Sequence, residues 1–297
     1  MTDDVNCAFF LWVGSALPDI ARVSVLSAAE AGFQTVLFTD RPQVVTHANL
    51  RVFDWREIEL PWSPEQVRLR GKSLPYFAGF ADLFRYGLLS SYDGWWFDCD
   101  TIILRPSSDF SKLLPDSGIL VGQESADVLN NAVIGSNSKF EMTKLLEAAL
   151  PYYPTFTQWG QTGPKLITQM ISDGCIKASV VGRNHFYPLH HSEIANIYLP
   201  ECQAQLRGEE PKWFCLSLWG EVLSRSGLAH LGPPPGSYLA DFLLRHPALG
   251  QMRGDELAMA RYLADNVFTL NDMQSGRRAL RTLFRRAGAR LIPKRRP

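Results

Sequence analysis

The chain has 297 residues, 46% of them hydrophobic and 20% charged, with 30 basic and 30 acidic side chains; this profile excludes a disordered, fibrous or low-complexity protein. No run of about 18 uncharged apolar residues occurs, and the opening Met1-Thr2-Asp3-Asp4 is acidic where a signal peptide is basic, so neither a membrane span nor classical secretion is expected. The five cysteines (Cys7, Cys99, Cys175, Cys202, Cys215) are odd in number and never paired as Cys-x-x-Cys, and no Asn-x-Ser/Thr acceptor exists, which predicts a reducing, cytoplasmic setting.

Cys7 to Val13 is a short apolar run that predicts a strand. Asp19 to Ala31 places Ile20, Val23, Val25, Leu26 and Ala29 at helical spacing, and Gly32 supplies a stop. Gln34 to Phe38 is β-branched and apolar, which completes strand, helix, strand within about 35 residues, the opening of a parallel α/β sheet. A further strand is predicted at Leu50 to Phe53. A helix over Tyr76 to Ser91 carries Phe80, Leu83, Phe84 and Leu88 and is broken by Asp93-Gly94. Trp95 to Phe97, then Asp98-Cys99-Asp100, then Thr101 to Leu104 reads as strand, acidic turn, strand. The second half is less regular: a strand at Gly118 to Val121, helices at Phe140 to Leu150 and Thr162 to Ile171, an aromatic loop at Pro151 to Trp159 and a turn at Pro233 to Gly236. No repeat at a period of 20 to 50 residues is present.

Two carboxylates two residues apart between apolar strands are costly to desolvate without a cation. On a regular strand, residues i and i+2 share a face, so Asp98 and Asp100 can converge on one ion or on a bound phosphate cluster. Hard oxygen ligands select Mg²⁺ or Mn²⁺, and an ion held by two carboxylates keeps positions open for a diphosphate. The bare tripeptide is equally compatible with a solvated turn. Upstream, Asp82 and Arg85 are three apart on the predicted helix and so point to one side, where the arginine can pair with phosphate or sugar oxygens and the carboxylate can accept sugar hydroxyls. A surface ion pair is the plain alternative.

The string from Ala81 to Asp100, with Ala81-Asp82, Arg85-Tyr86 and Asp98-Cys99-Asp100 in register, resembles the helix-plus-Asp-x-Asp signature of glycosyltransferase family 32, whose relatives include α-1,4-galactosyltransferases, an initiating α-1,6-mannosyltransferase and, more distantly, the large glucosylating toxins. Asp93 stands where the family has a first Gly and Trp96 where it has a Tyr, so the aromatic is kept and its hydroxyl lost. The resemblance extends to Phe10-Leu11-Trp12-Val13-Gly14, where it gives Trp12 the role of stacking on the nucleotide base. It also covers Leu129 to Gly135, where Asn130 or Asn131 is implied beside the donor sugar, together with Thr162-Gly163-Pro164, Phe186-Tyr187-Pro188 and Pro234 to Ser237. Some relatives carry His-x-Trp near the end; here Ser217-Leu218-Trp219 is similar to the toxin version, which implies Ser217 as a metal contact and Trp219 at the diphosphate or leaving oxygen, with His230 as a spare ligand. His190, His191 and Glu193 lack a third ligand at diagnostic spacing. No P-loop, Gly-x-Ser-x-Gly, His-Glu-x-x-His or Gly-x-Gly-x-x-Gly occurs.

The resemblance implies a GT-A-type, Rossmann-like α/β domain over residues 1–275 with a mixed sheet. It further implies a retaining transfer from a nucleotide sugar, with a UDP-sugar as the leading donor and GDP-mannose as the alternative. In this reading Asp98 and Asp100 hold Mn²⁺ or Mg²⁺, Asp82 and Arg85 orient the donor, and Trp12 and Trp96 serve the donor side. A glycan or lipid-linked glycan is the expected acceptor. A protein-glycosylating effector, a nucleotide-sugar-binding protein without turnover, and a metal-dependent phosphohydrolase use the same residues. Residues 276–297 form the last predicted element. From Met273 onward nine basic and no acidic residues occur, leaving 21 basic against 30 acidic elsewhere. Leu280, Leu283, Phe284, Ala287 and Leu291 share one helical face there, the pattern of a basic amphipathic helix on an anionic membrane at the inner face. Docking on the acidic body is the alternative, and nucleic acid is not expected as a partner.

Overall fold

The computed structural model describes residues 5–14, 16–41, 45–226, 229 and 231–252; the tail 276–297 and His230 lie outside them. By contact density the chain divides into two units, Met1–Pro188 with Trp213–Leu216, and Leu189–Lys212 with Ser217–Pro297.

The first unit is built on a seven-stranded mixed sheet. In chain order its elements are β1 (Cys7–Trp12), α1 (Asp19–Glu30), β2 (Gln34–Thr39), β3 (Leu50–Asp54), a two-residue strand β4 (Arg68–Leu69), α2 (Phe77–Leu89), β5 (Gly94–Phe97), β6 (Thr101–Ile103), α3 (Ser107–Ser111), β7 (Ile119–Ser125), β8 (Val128–Ser136), α4 (Lys139–Ala149), β9 (Thr155–Phe156), α5 (Pro164–Ser172), β10 (Ala178–Val181) and α6 (Arg183–Phe186). The strand order is β10-β7-β8-β5-β1-β2-β3. β8 runs antiparallel to β5 and β7, and every other neighbouring pair is parallel. The mixed α/β architecture agrees with the sequence-based expectation.

Alternation along the strands sends consecutive residues to opposite faces. Phe9, Trp96, Val121 and Ile134 join one buried cluster with Phe80, Leu83 and Phe84 of α2, Met142 and Leu145 of α4 and Leu166 and Ile167 of α5. On the other face Phe10 stacks on Phe97 at 5.8 Å, and Phe33 and Phe110 meet Phe97 and each other edge-on. α1 and α3 lie on that side, since Ser27 Oγ of α1 accepts from Ile103 N at 2.9 Å and Ala31 O accepts from Ser107 N at 2.8 Å. Gly32 ends α1 with φ +91°. Gly94 explains the break before β5: its φ is +142°, and a Cβ there would sit 2.9 Å from the Cys7 carbonyl, so only glycine lets β5 start this close to β1.

This strand order reverses between β1 and β5. The chain moves outward through β2 and β3, then returns to the other side of β1, so the carboxyl ends of β1 and β5 flank the switch point where open α/β sheets bind ligands. Trp12 ends β1, and Asp98 directly follows β5.

The second unit holds α7 (Gln203–Glu209), α8 (Gly220–Ser226) and α9 (Tyr238–Arg245) with several single-turn segments. Arg245 pairs with Glu210 at 3.0 Å and with Asp241 at 3.0 Å, and Arg207 pairs with Glu210 at 3.0 Å, tying α7 to α9 around buried Tyr238, Leu239 and Phe242. Strand β11 (Cys215–Ser217) crosses the division between the units. Among the described residues no helix is long and apolar enough to cross a membrane.

Candidate active site

Asp98, Cys99 and Asp100 form a tight turn in which Thr101 N donates to Asp98 O at 3.0 Å. The turn agrees with the expected order of strand, acidic turn, strand: β5 stops at Phe97 and β6 starts at Thr101, so the two carboxylates are carried by the turn at the carboxyl end of β5 and not on the face of a regular strand. Two hydrogen bonds anchor the turn to its neighbours. Asp98 N donates to Ala132 O of β8 at 2.9 Å, and the Cys99 thiol donates to Leu11 O of β1 at 3.2 Å. Burial, with Asp98 and Asp100 adding to it, pushes the Cys99 thiol well above its ordinary pKa, so it stays protonated and serves as that donor.

Beneath the turn lies a buried polar cluster. Asp82 is 6% exposed and Arg85 3%. The Arg85 guanidinium meets Asp98 Oδ1 at 2.9 Å and Asp82 Oδ1 at 3.6 Å, and donates from Nε to Ala81 O at 3.1 Å and from Nη1 to Asn131 O. The Trp96 indole N–H donates to Asp98 Oδ1 at 2.8 Å, and the Trp96 ring lies 5.0 Å from the guanidinium carbon. Trp96 itself is buried and reaches the turn through this bond.

Asp82 is held from its other side as well. Asn131 Nδ2 donates to its Oδ1 at 2.8 Å and Thr162 Oγ1 to its Oδ2 at 3.0 Å, while Tyr86 OH donates to Thr162 O at 2.9 Å. Burial raises the Asp82 carboxyl above the usual carboxylate range, against the opposing pull of Arg85, Asn131 and Thr162. The same cause raises Asp98, against the opposing pull of Arg85 and the Trp96 indole N–H. For Arg85, burial works against the charge, but Asp98 and Asp82 offset it and the group stands above its ordinary value. Tyr76 is pushed up to about 12 by burial, and Tyr86 and Tyr153 are raised by the same cause, so all three are neutral hydroxyls at physiological pH.

Of the two asparagines, only Asn131 enters this cluster. Asn130 faces the other way along β8: its Nδ2 donates to Glu124 Oε2 at 2.7 Å and its Oδ1 accepts from Ala132 N at 2.7 Å. Glu124, near the carboxyl end of β7, lies on the same sheet edge as the turn and carries no sequence signal of its own. Tyr86, Thr162 and Tyr187 lie within the strings that carry the resemblance but have no role legible there, since the contacts that bring them to the site span 45 or more residues of chain. Tyr187 OH accepts from Val133 N at 3.1 Å. Trp12 is half-buried at the end of β1, on the edge that carries the turn. A cavity of about 360 Å³ lined by Cys7, Gln34, Asn49 and Arg51 opens at the amino ends of β1 to β3, the opposite edge.

Ser217 and Trp219 belong to the second unit. Ser217 is buried; Trp219 is half-buried and has φ +51°, a conformation rarely tolerated by a bulky residue. Its indole N–H donates to Leu189 O at 3.0 Å and its ring meets His191 edge-on at 5.8 Å. The His190 and His191 rings lie 3.7 Å apart and tilted, and Glu193 Oε2 accepts from His190 N at 2.8 Å. Among the described residues no three His, Cys, Asp or Glu side chains converge on a point where an ion could sit.

The donor set at the turn nevertheless fits a divalent ion completed by other oxygens. Three carboxylates (Asp82, Asp98, Asp100) against one guanidinium leave a formal −2. Asp98 and Asp100 carry the hard carboxylate oxygens that such an ion takes, with Asp98 Oδ1 already committed to Trp96 and Arg85.

Gly163 makes the packing of this cluster testable. A Cβ there would lie 2.9 Å from Asp82 Oδ2 and 3.1 Å from Asn131 Oδ1, and the carboxylate cannot yield without giving up Thr162 or Asn131. Gly163→Ala is expected to cost about 1–3 kcal/mol in urea unfolding. Gly182→Ala, with nothing within 4 Å, serves as the neutral control. Equal midpoints for the two variants would show that the cluster is looser than these distances.

No family model and no curated protein matches the chain. Among solved structures, it is similar to the PaToxG glycosyltransferase, with 18% identity over 57% of this chain and 69% of that one and a TM-score of 0.37. It is also similar to the apo structure of WbbM, a bifunctional glycosyltransferase, with 11% identity over 86% of this chain and a TM-score of 0.38. The chain spans about half, 51%, of the WbbM structure. Both of these structural neighbours are glycosyltransferases.

Proposed function

We propose that the protein is a retaining glycosyltransferase that moves a sugar from a nucleotide sugar, foremost a UDP-sugar, to a hydroxyl of a glycan or lipid-linked glycan. What carries this reading is the acidic turn at the carboxyl end of β5, beside the end of β1, at the point where the strand order reverses. Trp12 would stack on the base there. Asp98 and Asp100 would hold Mn²⁺ or Mg²⁺; the ion would supply neutralisation of charge on the leaving diphosphate. Asp82 and Asn131 would take hydroxyls of the donor sugar, while Asn130 faces Glu124 on the other side of β8. Arg85 holds Asp98 and Asp82 in place with its charge. The bond from the anomeric carbon to the diphosphate breaks, the acceptor oxygen bonds to that carbon on the same face, and its proton leaves with the departing diphosphate. We assign the protein to the cytoplasm, at the inner membrane face, with the basic segment 276–297 in peripheral contact with anionic lipid.

The test is donor hydrolysis by the purified chain across UDP-glucose, UDP-galactose, their N-acetyl forms and GDP-mannose, with Mn²⁺ and with chelator. Slow release of nucleoside diphosphate and free sugar from one donor, abolished by chelator, is expected. Intact donors together with no metal-dependent thermal shift from UDP or GDP would overturn the reading. Phosphate release without sugar release would instead mark a phosphohydrolase.

A further inference from the structure

We infer that two joined loops at the amino end of α2, residues 66–77 and 152–165, form a docking face for an anionic phospholipid bilayer. The inference rests on the glycosyl-transfer reading only for its purpose, which is to bring the donor site to a lipid-linked acceptor.

The loops are one surface unit. β4 and β9 pair in parallel with Arg68 opposite Thr155 and Leu69 opposite Phe156, and Arg68 N and Arg70 N donate to Pro154 O and Phe156 O at 2.9 and 2.7 Å. Gly160 N donates to Tyr76 OH at 3.2 Å, and the Tyr76 and Phe156 rings meet edge-on at 5.5 Å. This unit carries Leu74 at 76%, Trp159 at 63% and Phe77 at 46% exposure. Singly exposed apolar residues are ordinary, but three on one pair of joined loops form a patch that needs an explanation.

Within the two segments the charges have one sign, with exposed Glu65 directly before the first. Arg68, Arg70, Lys72 and Lys165 lie in these 26 residues, and no Asp or Glu does, although all 30 acidic residues of the chain fall before Met273, so that about three would be expected here by composition. Arg70, Lys72 and Lys165 are exposed, and none of the four is ion-paired among the described residues; Lys165 donates to Gln158 Oε1 and Arg68 to Val67 O. Cations without carboxylate partners beside protruding Trp and Leu match an anionic bilayer, where tryptophan sits at headgroup level and basic side chains meet lipid phosphates. Leu74, the most exposed of the three, has no ring with which to stack on a sugar, which favours lipid over a glycan.

Position supports the same partner. A Cβ on Gly14, two residues beyond Trp12, would lie 3.9 Å from the Phe77 ring, and Thr162 of the second loop holds Asp82. The patch therefore adjoins the candidate donor site.

Co-sedimentation of the full chain with phosphatidylcholine vesicles, with and without phosphatidylglycerol, tests this. Wild type is expected to pellet with the anionic vesicles. Arg70→Gln/Lys72→Gln/Lys165→Gln should weaken binding on the order of 100-fold, taking roughly fivefold per cation. Leu74→Ser/Trp159→Ser should weaken it at least about tenfold. Both variants should keep the wild-type melting temperature and donor hydrolysis. A full-chain variant with Arg285, Arg286 and Arg290 changed to Gln separates the tail's contribution: if that variant alone loses binding and the loop variants pellet like wild type, the inference fails. It fails equally if wild type ignores both vesicles, or if the loop variants lose a soluble acceptor glycan instead of vesicles. Loop-dependent vesicle binding by a chain that hydrolyses no donor would sustain the docking face and defeat the glycosyl-transfer reading; the reverse pattern would do the opposite.

Discussion

Asp98→Asn combined with Asp100→Asn is expected to remove metal-dependent nucleoside diphosphate release, by about 10²–10³-fold or more, while leaving the fold intact. The two halves of that expectation have different causes. For the rate, the amides keep the size and one acceptor oxygen of each side chain but lose the charge that a divalent ion requires. For the fold, the amide oxygen introduced at position 98 can still accept from the Trp96 indole and the Arg85 guanidinium, and Arg85 keeps Asp82 and two carbonyls, so no cation is left buried alone. Removing two negative charges from a cluster with a formal −2 also relieves repulsion. The melting temperature should therefore stay near wild type in chelator. With Mn²⁺ the two proteins should part: an ion at 100 times its Kd stabilises the wild type by about 2.7 kcal/mol, and the variant not at all. A variant that still released nucleoside diphosphate in a chelator-sensitive way would remove the turn from the chemistry.

The sequence was most informative where the signal is local. Strands β1, β2, β3 and β5 and helices α1 and α2 follow from apolar runs and helical spacing, and Gly32 and Gly94 end or start elements as their positive φ values require. β8 carried no strand signal because Asn130 and Asn131 interrupt its apolar run; their side chains are satisfied by Glu124 on one face and Asp82 on the other, partners 6 and 49 residues away. β10 is short and half-exposed and also escaped. The aromatic loop at Pro151 to Trp159 contains β9, whose only sheet partner is β4, more than 80 residues earlier. At the site, the i, i+3 spacing placed Asp82 and Arg85 on one side of α2, as observed at 3.6 Å. What spacing could not reveal is that the arginine is spent inside the protein, on Asp98 and two carbonyls, because that depends on where β5 and β8 bring their residues.

Arg85→Met tests that internal role, and its expected effect on stability is the largest of any single substitution here. Methionine fills similar space beside Trp96 but leaves Asp82 and Asp98 facing each other without a cation, and breaking a buried pair in this way costs about 3–5 kcal/mol. The pH dependence has a definite sign. Asp82 already has a folded-state pKa above its unfolded value through burial, so its contribution to stability is fully present below the unfolded pKa and is lost as pH rises through the folded one. Without Arg85 the opposing pull disappears and the folded value climbs further. The deficit of the variant, measured by urea unfolding in chelator, should be smallest near pH ~4, the ordinary Asp range, and grow toward neutral pH. Adding Asp82→Asn to Arg85→Met removes one of the two stranded carboxylates, so the double variant should recover part of the loss, a coupling that distant sites would not show. Wild-type stability in Arg85→Met, or a deficit independent of pH and of Asp82, would mean that the guanidinium is not what holds the acidic turn over the sheet.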